Sequence, residues 1–136
     1  MSNDLAPPLP APSDDAANAF DRAERVSRSA AAVGFDWETP AQVLDKIDEE
    51  RREVQEALDR GDRAAAAREV GDLAFALVNL ARHVGVSLAE TLDGTTDRFE
   101  RRFAHVCARL HAEGRAPSDV SLDALEALWQ EAKTLE

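Results

Sequence analysis

Apolar residues recur three and four positions apart along most of this chain, and no useful stretch alternates polar with apolar, so the pattern predicts helices throughout and an all-α fold. A first helix is expected from Asp14 or Asp15 to Val33, ended by Gly34. Thr39, Pro40 and Gln42 have the spacing of a capping box with proline at the first helical position, which starts a second helix running to Asp59 or Arg60. Gly61 and Asp62 supply a stop and a restart, so a third helix from Arg63 to Val84 folds back on the second as an antiparallel hairpin. Gly85 lies beyond its end, and Ser87 with Glu90 opens a fourth helix from Leu88 to about Glu113. After Gly114 and Pro117, Ser121 caps a last short helix from Leu122 to about Leu135. Four of the six prolines fall within Met1–Pro12, where little can pack, so residues 1–13 are expected to be a disordered tail and 14–136 a single domain.

The polar positions of the hairpin are more informative than its apolar ones. Val43, Leu44, Ile47, Val54 and Leu58 form the apolar stripe of the second helix, and Leu73, Leu77 and Leu80 that of the third. Lys46, Glu50, Glu53 and Ala57 follow a helical flank beside the first stripe, while Glu49 and Glu56 turn farther toward solvent. Glu69, Asp72, Ala76, Asn79 and His83 form a similar line on the third helix. Carboxylates bordering a buried surface are costly unless paired or bound to metal. Glu50, Glu53, Glu69 and Asp72, brought together by the Gly61-Asp62 turn, therefore call for a cation, and oxygen-only ligation suits Mg²⁺, with Mn²⁺ as substitute, rather than zinc. Mg²⁺ so held is usually shared with substrate phosphates.

Composition narrows the chemistry. In 136 residues the formal net charge is −11, which argues against general nucleic-acid or membrane binding. Positive charge for a phosphate must then be local or imported as metal. Cys107 is the single cysteine, so no internal disulfide forms, and it is expected to be a small apolar side chain in a helix. No apolar run of membrane-spanning length and no signal-like start is visible, so a cytoplasmic location is expected. There is no Gly-rich phosphate loop, no Ser-His-Asp or Cys-His arrangement and no histidine cluster. What remains is attack on phosphorus by a water activated beside the metal and deprotonated by a glutamate.

Several segments together carry a resemblance: Val33-Gly34-Phe35-Asp36-Trp37, the EExxE and ExxD acids, Gly71–His83, Arg98-Phe99-Glu100-Arg101-Arg102-Phe103, and Leu128–Lys133. From about Ala23 onward, in this order, they resemble the MazG family of all-α nucleoside triphosphate pyrophosphohydrolases, and specifically the C-terminal, catalytically competent copy of its tandem members standing alone. The resemblance implies cleavage between the α and β phosphates, giving nucleoside monophosphate and pyrophosphate. It also places Arg98 and Arg102 on the family's triphosphate-contacting lysine and arginine. Position 98 is Arg where Lys is usual, and Asp97 stands where Asn is common. Trp129 and Lys133 match a tryptophan and lysine that help to hold nucleotide. Taken from the residues alone, Trp129 and the Phe99/Phe103 pair are core positions, Asn79 is a side chain near metal-bound water or satisfied by backbone, and His83 answers the helix dipole.

The substrate-contacting set is thus Lys46, Arg98, Arg102, Trp129, Lys133 and Asn79. The expected architecture is a helical hairpin extended to a four-helix bundle by homodimerisation, since the two stripes exceed what one flanking helix covers. The expected function is Mg²⁺-dependent hydrolysis of nucleoside or deoxynucleoside triphosphates in nucleotide-pool house-cleaning. The rivals are a relative restricted to dUTP, dCTP or phosphoribosyl-ATP, and a non-catalytic acidic helical interaction module.

Overall fold

The computed structural model describes residues 19–136. The expected tail over residues 1–13 and the start of the first helix at Asp14 or Asp15 lie outside the described residues. Among these residues are α1 (Ala19–Ala32), α2 (Pro40–Asp59), α3 (Arg63–His83), α4 (Leu88–Ala112), a short 3-10 turn (Pro117–Asp119) and α5 (Leu122–Thr134), with no strand. The fold class is all-α. No single described helix is long and apolar enough to cross a membrane. The chain forms two compact units, one ending at Glu90 and the other spanning Thr91–Glu136.

In the first unit the local signals act as the sequence predicts. Thr39 Oγ1 accepts the Gln42 N–H at 3.3 Å while Gln42 Oε1 accepts the N–H groups of Thr39 and Glu38 at 3.3 and 2.8 Å, which fixes where α2 begins. Gly61 takes φ of 68°, a conformation that residues with a Cβ rarely adopt, and Asp62 Oδ1 caps α3 by accepting the Ala65 N–H at 3.0 Å. Reversal over so few residues lays α2 along α3, and α1 packs on α3 as well.

The core of this unit differs from the expected leucine stripe. Its buried positions are Val43 and Ala57 on α2 and Ala65, Ala66, Ala76, Val78 and Ala81 on α3. Leu44, Leu58 and Leu77 instead stand 49%, 57% and 38% exposed. Small side chains along the seam let helix axes approach closely, so the alanines take the contact and the larger leucines are turned off it. Ala57, Ala65 and Ala66 form a cluster at the closed end of the hairpin.

The second unit buries Val106 and Leu110 on α4 and Ala132 on α5. Glu131 joins these helices by meeting Arg109 Nε at 3.2 Å and His105 Nε2 at 3.6 Å. Phe99 and Phe103, expected in the core, are exposed and stacked on each other with ring centres 6.0 Å apart. The 3-10 turn was not foreseen; Asp119 Oδ2 holds it by accepting the Ala116 N–H at 2.8 Å. Cys107 is a half-buried free thiol.

Candidate active site

Helical spacing and the tight turn between α2 and α3 put four acids side by side. One carboxylate oxygen from each of Glu50, Glu69 and Asp72 lies within 4.8 Å of the others. Glu50 is only 4% exposed, although it is charged. Its Oε1 meets Lys46 Nζ at 2.9 Å, and Lys46 also reaches Glu49 at 3.3 Å. Glu50 Oε2 and Glu69 Oε2 are buried without a hydrogen-bond partner. Orphaned carboxylate oxygens of this kind are expensive, and a cation removes the cost.

Proton affinities follow from the same crowding. The Lys46 ammonium holds the Glu50 carboxyl below the usual range, and Glu50 in turn raises Lys46. Glu53 stands outside the three-residue group but next to two of its members, and the carboxylates of Glu69 and Glu50 push its carboxyl up to about 7. A single ammonium does not balance four carboxylates. The oxygen-only donor set and the two orphaned oxygens fit a hard divalent cation such as Mg²⁺ or Mn²⁺.

A cavity of about 350 Å³ opens onto these acids, lined by Lys46, Glu50 and Asp72 and by Trp37, Phe75, Ala76 and Asn79. Trp37 and Phe75 are walls that the sequence analysis did not assign to the site. The signal for Phe75 was its place three residues after Asp72 on the same helix, and for Trp37 its place beside Asp36 in the turn after α1.

That turn is fastened to the end of α3. Asp36 Oδ1 and Oδ2 accept from Arg82 at 2.6 and 2.9 Å, Oδ1 also meets His83 Nε2 at 3.1 Å, and it accepts the Trp37 N–H at 2.9 Å. Arg82, with His83, holds the Asp36 carboxyl far below the usual carboxylate range. His83, expected to answer the helix dipole, has a specific partner in Asp36. Asn79, the other ambiguous position on this helix face, is 4% exposed and satisfied by side chains rather than backbone: its Oδ1 accepts from Ser27 Oγ and from Arg82 Nη2.

The remaining candidates belong to the second unit. Arg102 makes a two-pronged pair with Glu136, Nε to Oε1 at 3.0 Å and Nη2 to Oε2 at 2.8 Å, and its guanidinium lies 5.6 Å from the centre of the Trp129 ring. Trp129 packs against Phe99 at 5.1 Å. Arg98 is exposed and donates to Thr95 Oγ1 at 3.1 Å, and Lys133 is exposed.

A helical hairpin with a cation-poor cluster of acids, buried at Glu50 and open at Asp72, defines an all-α protein with a group that could hold a metal ion. The family model described as phosphoribosyl-ATP pyrophosphohydrolase matches residues 21–99, which include all four acids, and the chain belongs to that family. It is 40% identical over 117 residues to the nucleoside triphosphate pyrophosphohydrolase of Escherichia coli (strain K12), covering 85% of this chain and 44% of that protein. It is 34% identical over 115 residues to the nucleoside triphosphate pyrophosphohydrolase/pyrophosphatase MazG of Thermotoga maritima, again covering 85% and 44%. The resemblance to MazG is thus borne out, while the chain spans less than half the length of these relatives.

Proposed function

We propose that this chain hydrolyses nucleoside or deoxynucleoside triphosphates to the monophosphate and pyrophosphate, in the cytoplasm and in nucleotide-pool house-cleaning. The observation that carries the reading is the convergence of Glu50, Glu69 and Asp72 within 4.8 Å with two buried oxygens lacking partners. Likeness to relatives named nucleoside triphosphate pyrophosphohydrolase supports the reaction type.

Glu50, Glu69 and Asp72, with Glu53 as the fourth acid at their side, would hold Mg²⁺, which when bound offsets triphosphate charge and makes water more acidic. Glu53, beside the three-residue group and outside it, is the acid placed to take the proton of the attacking water. Lys46 borders the same cavity, so its ammonium is placed to meet a phosphate oxygen. In the second unit Arg98, Arg102, Trp129 and Lys133 are proposed to hold the rest of the nucleotide, Trp129 through its ring and the others through charge.

The chain is further proposed to act as a homodimer. Leu44 and Leu58 on α2 and Val70 and Leu77 on α3 leave large apolar side chains exposed on the hairpin, and a second copy is the economical cover. Light scattering at micromolar concentration should report twice the chain mass with or without metal; a folded, active monomer would remove the dimer from the account.

Pyrophosphate release from a panel containing the common ribo- and deoxyribonucleotides, dUTP, dCTP and phosphoribosyl-ATP tests the reaction. Release across several triphosphates that chelator abolishes is expected. Release from phosphoribosyl-ATP alone would select the narrower reaction that the family description names, and no product from any substrate would leave a non-catalytic module.

A further inference from the structure

Arg82 sets the polarity of a hydrogen-bond chain at the contact of α1 with α3. A guanidinium can only donate. Its Nη2 lies 3.3 Å from Asn79 Oδ1, so the atom that Asn79 turns toward it is the carbonyl oxygen. Its Nε donates to Ser27 Oγ at 2.9 Å, and Ser27, having accepted there, is free to turn its own hydrogen to the same Asn79 Oδ1. Asp36 occupies the outer edge of the guanidinium at 2.6 and 2.9 Å. Ser27 and Asn79 are each 4% exposed, so this chain is protected from competing water.

A carboxamide has two polar edges on one plane. With Oδ1 occupied by two donors, the edge that Asn79 has for the cavity it shares with Glu50 and Asp72 is its NH₂. An amide NH₂ does not ligate a hard cation, which prefers oxygen, and so Asn79 does not extend the acid cluster even though it lines the same cavity. An NH₂ group there can do one thing for a ligand, which is to donate. Asn79, Trp37 and Phe75 also line, with Val26 and Ser27, a separate apolar recess of about 270 Å³.

We infer that Ser27, Arg82 and Asp36 lock the Asn79 carboxamide so that its NH₂ donates to an acceptor atom of the nucleotide, a phosphate oxygen or an acceptor on the base or sugar. Asn79 is then a binding residue, and the other three are positioning residues. This rests on the pyrophosphohydrolase reading.

Beside Asn79→Ala, which removes the donor without adding charge, Asn79→Asp is the sharper variant: it is near-isosteric, keeps an acceptor for Ser27 and Arg82, and replaces the donor on the cavity edge with a charged acceptor. Its helical signal should match that of the unchanged protein. Its dissociation constant for an α,β-methylene triphosphate analogue with Mg²⁺ should rise at least about tenfold, with Asn79→Ala also weakened and less severely. Ser27→Ala, which leaves the lining of the acid-bordered cavity untouched and trims only one hydroxyl from the apolar recess, should raise KM a few-fold (on the order of one neutral hydrogen bond) with kcat kept, and Ser27→Thr should restore it. That pair also serves if Asn79→Asp fails to fold. A loss in Asn79→Ala seen equally with inorganic triphosphate assigns the acceptor to phosphate, and a loss confined to nucleotides assigns it to base or sugar. Asn79 and Ser27 variants that bind the analogue as well as the unchanged protein overturn this inference alone, whereas an unchanged protein that neither binds the analogue nor releases pyrophosphate overturns the function reading beneath it.

Discussion

One helix carries two charged clusters, and they are built on opposite rules. Toward its start, α3 offers Glu69 and Asp72 to Glu50 and Glu53, four acids against the one ammonium of Lys46, with two buried oxygens unpartnered. At its end it offers Arg82 and His83 to Asp36, where both carboxylate oxygens accept and the guanidinium is spent on Asp36, Ser27 and Asn79. The balanced cluster fastens the Trp37 turn to α3 and needs nothing from outside. The unbalanced one leaves two buried oxygens that an external cation would partner, and that contrast is a sounder marker of function than burial or charge taken separately.

The largest effect should come from neutralising the unbalanced cluster. Glu50→Gln, Glu69→Gln, Asp72→Asn and Glu53→Gln should each lower turnover roughly 100-fold or more, the scale of several kcal/mol supplied by a metal to phosphoryl chemistry. Without metal, Glu53→Gln should match or exceed the unchanged protein in melting temperature because repulsion is relieved, whereas Glu50→Gln loses the pairing with Lys46 and should melt lower. Glu56→Gln, exposed, serves as the control expected to keep near-full rates, and Glu49→Gln, exposed but paired with Lys46, should matter less than any of the four acids. Full activity in two of the four acid variants would erase the contrast.

Arg102 sharpens the comparison because the two lines of argument disagree on it. Its two-pronged pairing with Glu136 looks like the balanced cluster, yet the family resemblance sends it to phosphate. If phosphate wins, Arg102→Ala should raise KM by about tenfold, as for a lost charge-assisted hydrogen bond, with the helical signal intact. An Arg98→Ala, Arg102→Ala double variant with unchanged kinetics would return both residues to the balanced class.

The smallest effect expected is in how stability depends on pH, where Glu53 should act in the direction opposite to Asp36 and Glu50. Glu53 has its folded value raised to about 7 from 4.5, so the folded chain binds more protons than the unfolded chain between these values. Metal-free stability should therefore rise as pH falls from 8 toward 5, and Glu53→Gln should flatten that limb. Asp36, and Glu50 beside Lys46, are lowered; their contribution is present above the ordinary carboxylate range and is lost as pH falls through their folded values. Asp36→Asn should reduce the acid limb. Thermal unfolding across pH, without metal, reads both; a metal-free profile falling steadily from pH 8 to 5 would contradict the Glu53 part.

How much of this was legible in the sequence depended on the range of each interaction. Thr39 with Gln42, Gly61 with Asp62, and the helical phase of Glu50 against Glu69 are set by neighbours a few residues apart, so local rules placed them. The Asp36–Arg82 and Ser27–Asn79 bonds join residues 46 and 52 positions apart, and no periodicity encodes them. The apolar stripes held only in part for a related reason: Val43 is buried and Ile47, Val54, Leu73 and Leu80 half-buried, but periodicity does not tell which part of an apolar face forms the seam, and Leu44, Leu58 and Leu77 stand outside it. Phe99 and Phe103 likewise read as core because aromatic spacing does not reveal whether the chain itself supplies a cover.

The claim that bears the most weight is that the Glu50, Glu69 and Asp72 cluster holds a divalent cation. Calorimetric titration of Mn²⁺ into metal-free protein, with and without Glu50→Gln, tests it without reference to turnover. The account predicts saturable binding to the unchanged protein, weakening as pH falls below about 7 because Glu53 takes up a proton, and at least roughly tenfold weaker binding in the variant. No saturable binding to the unchanged protein, or equal affinity in Glu50→Gln, would contradict it.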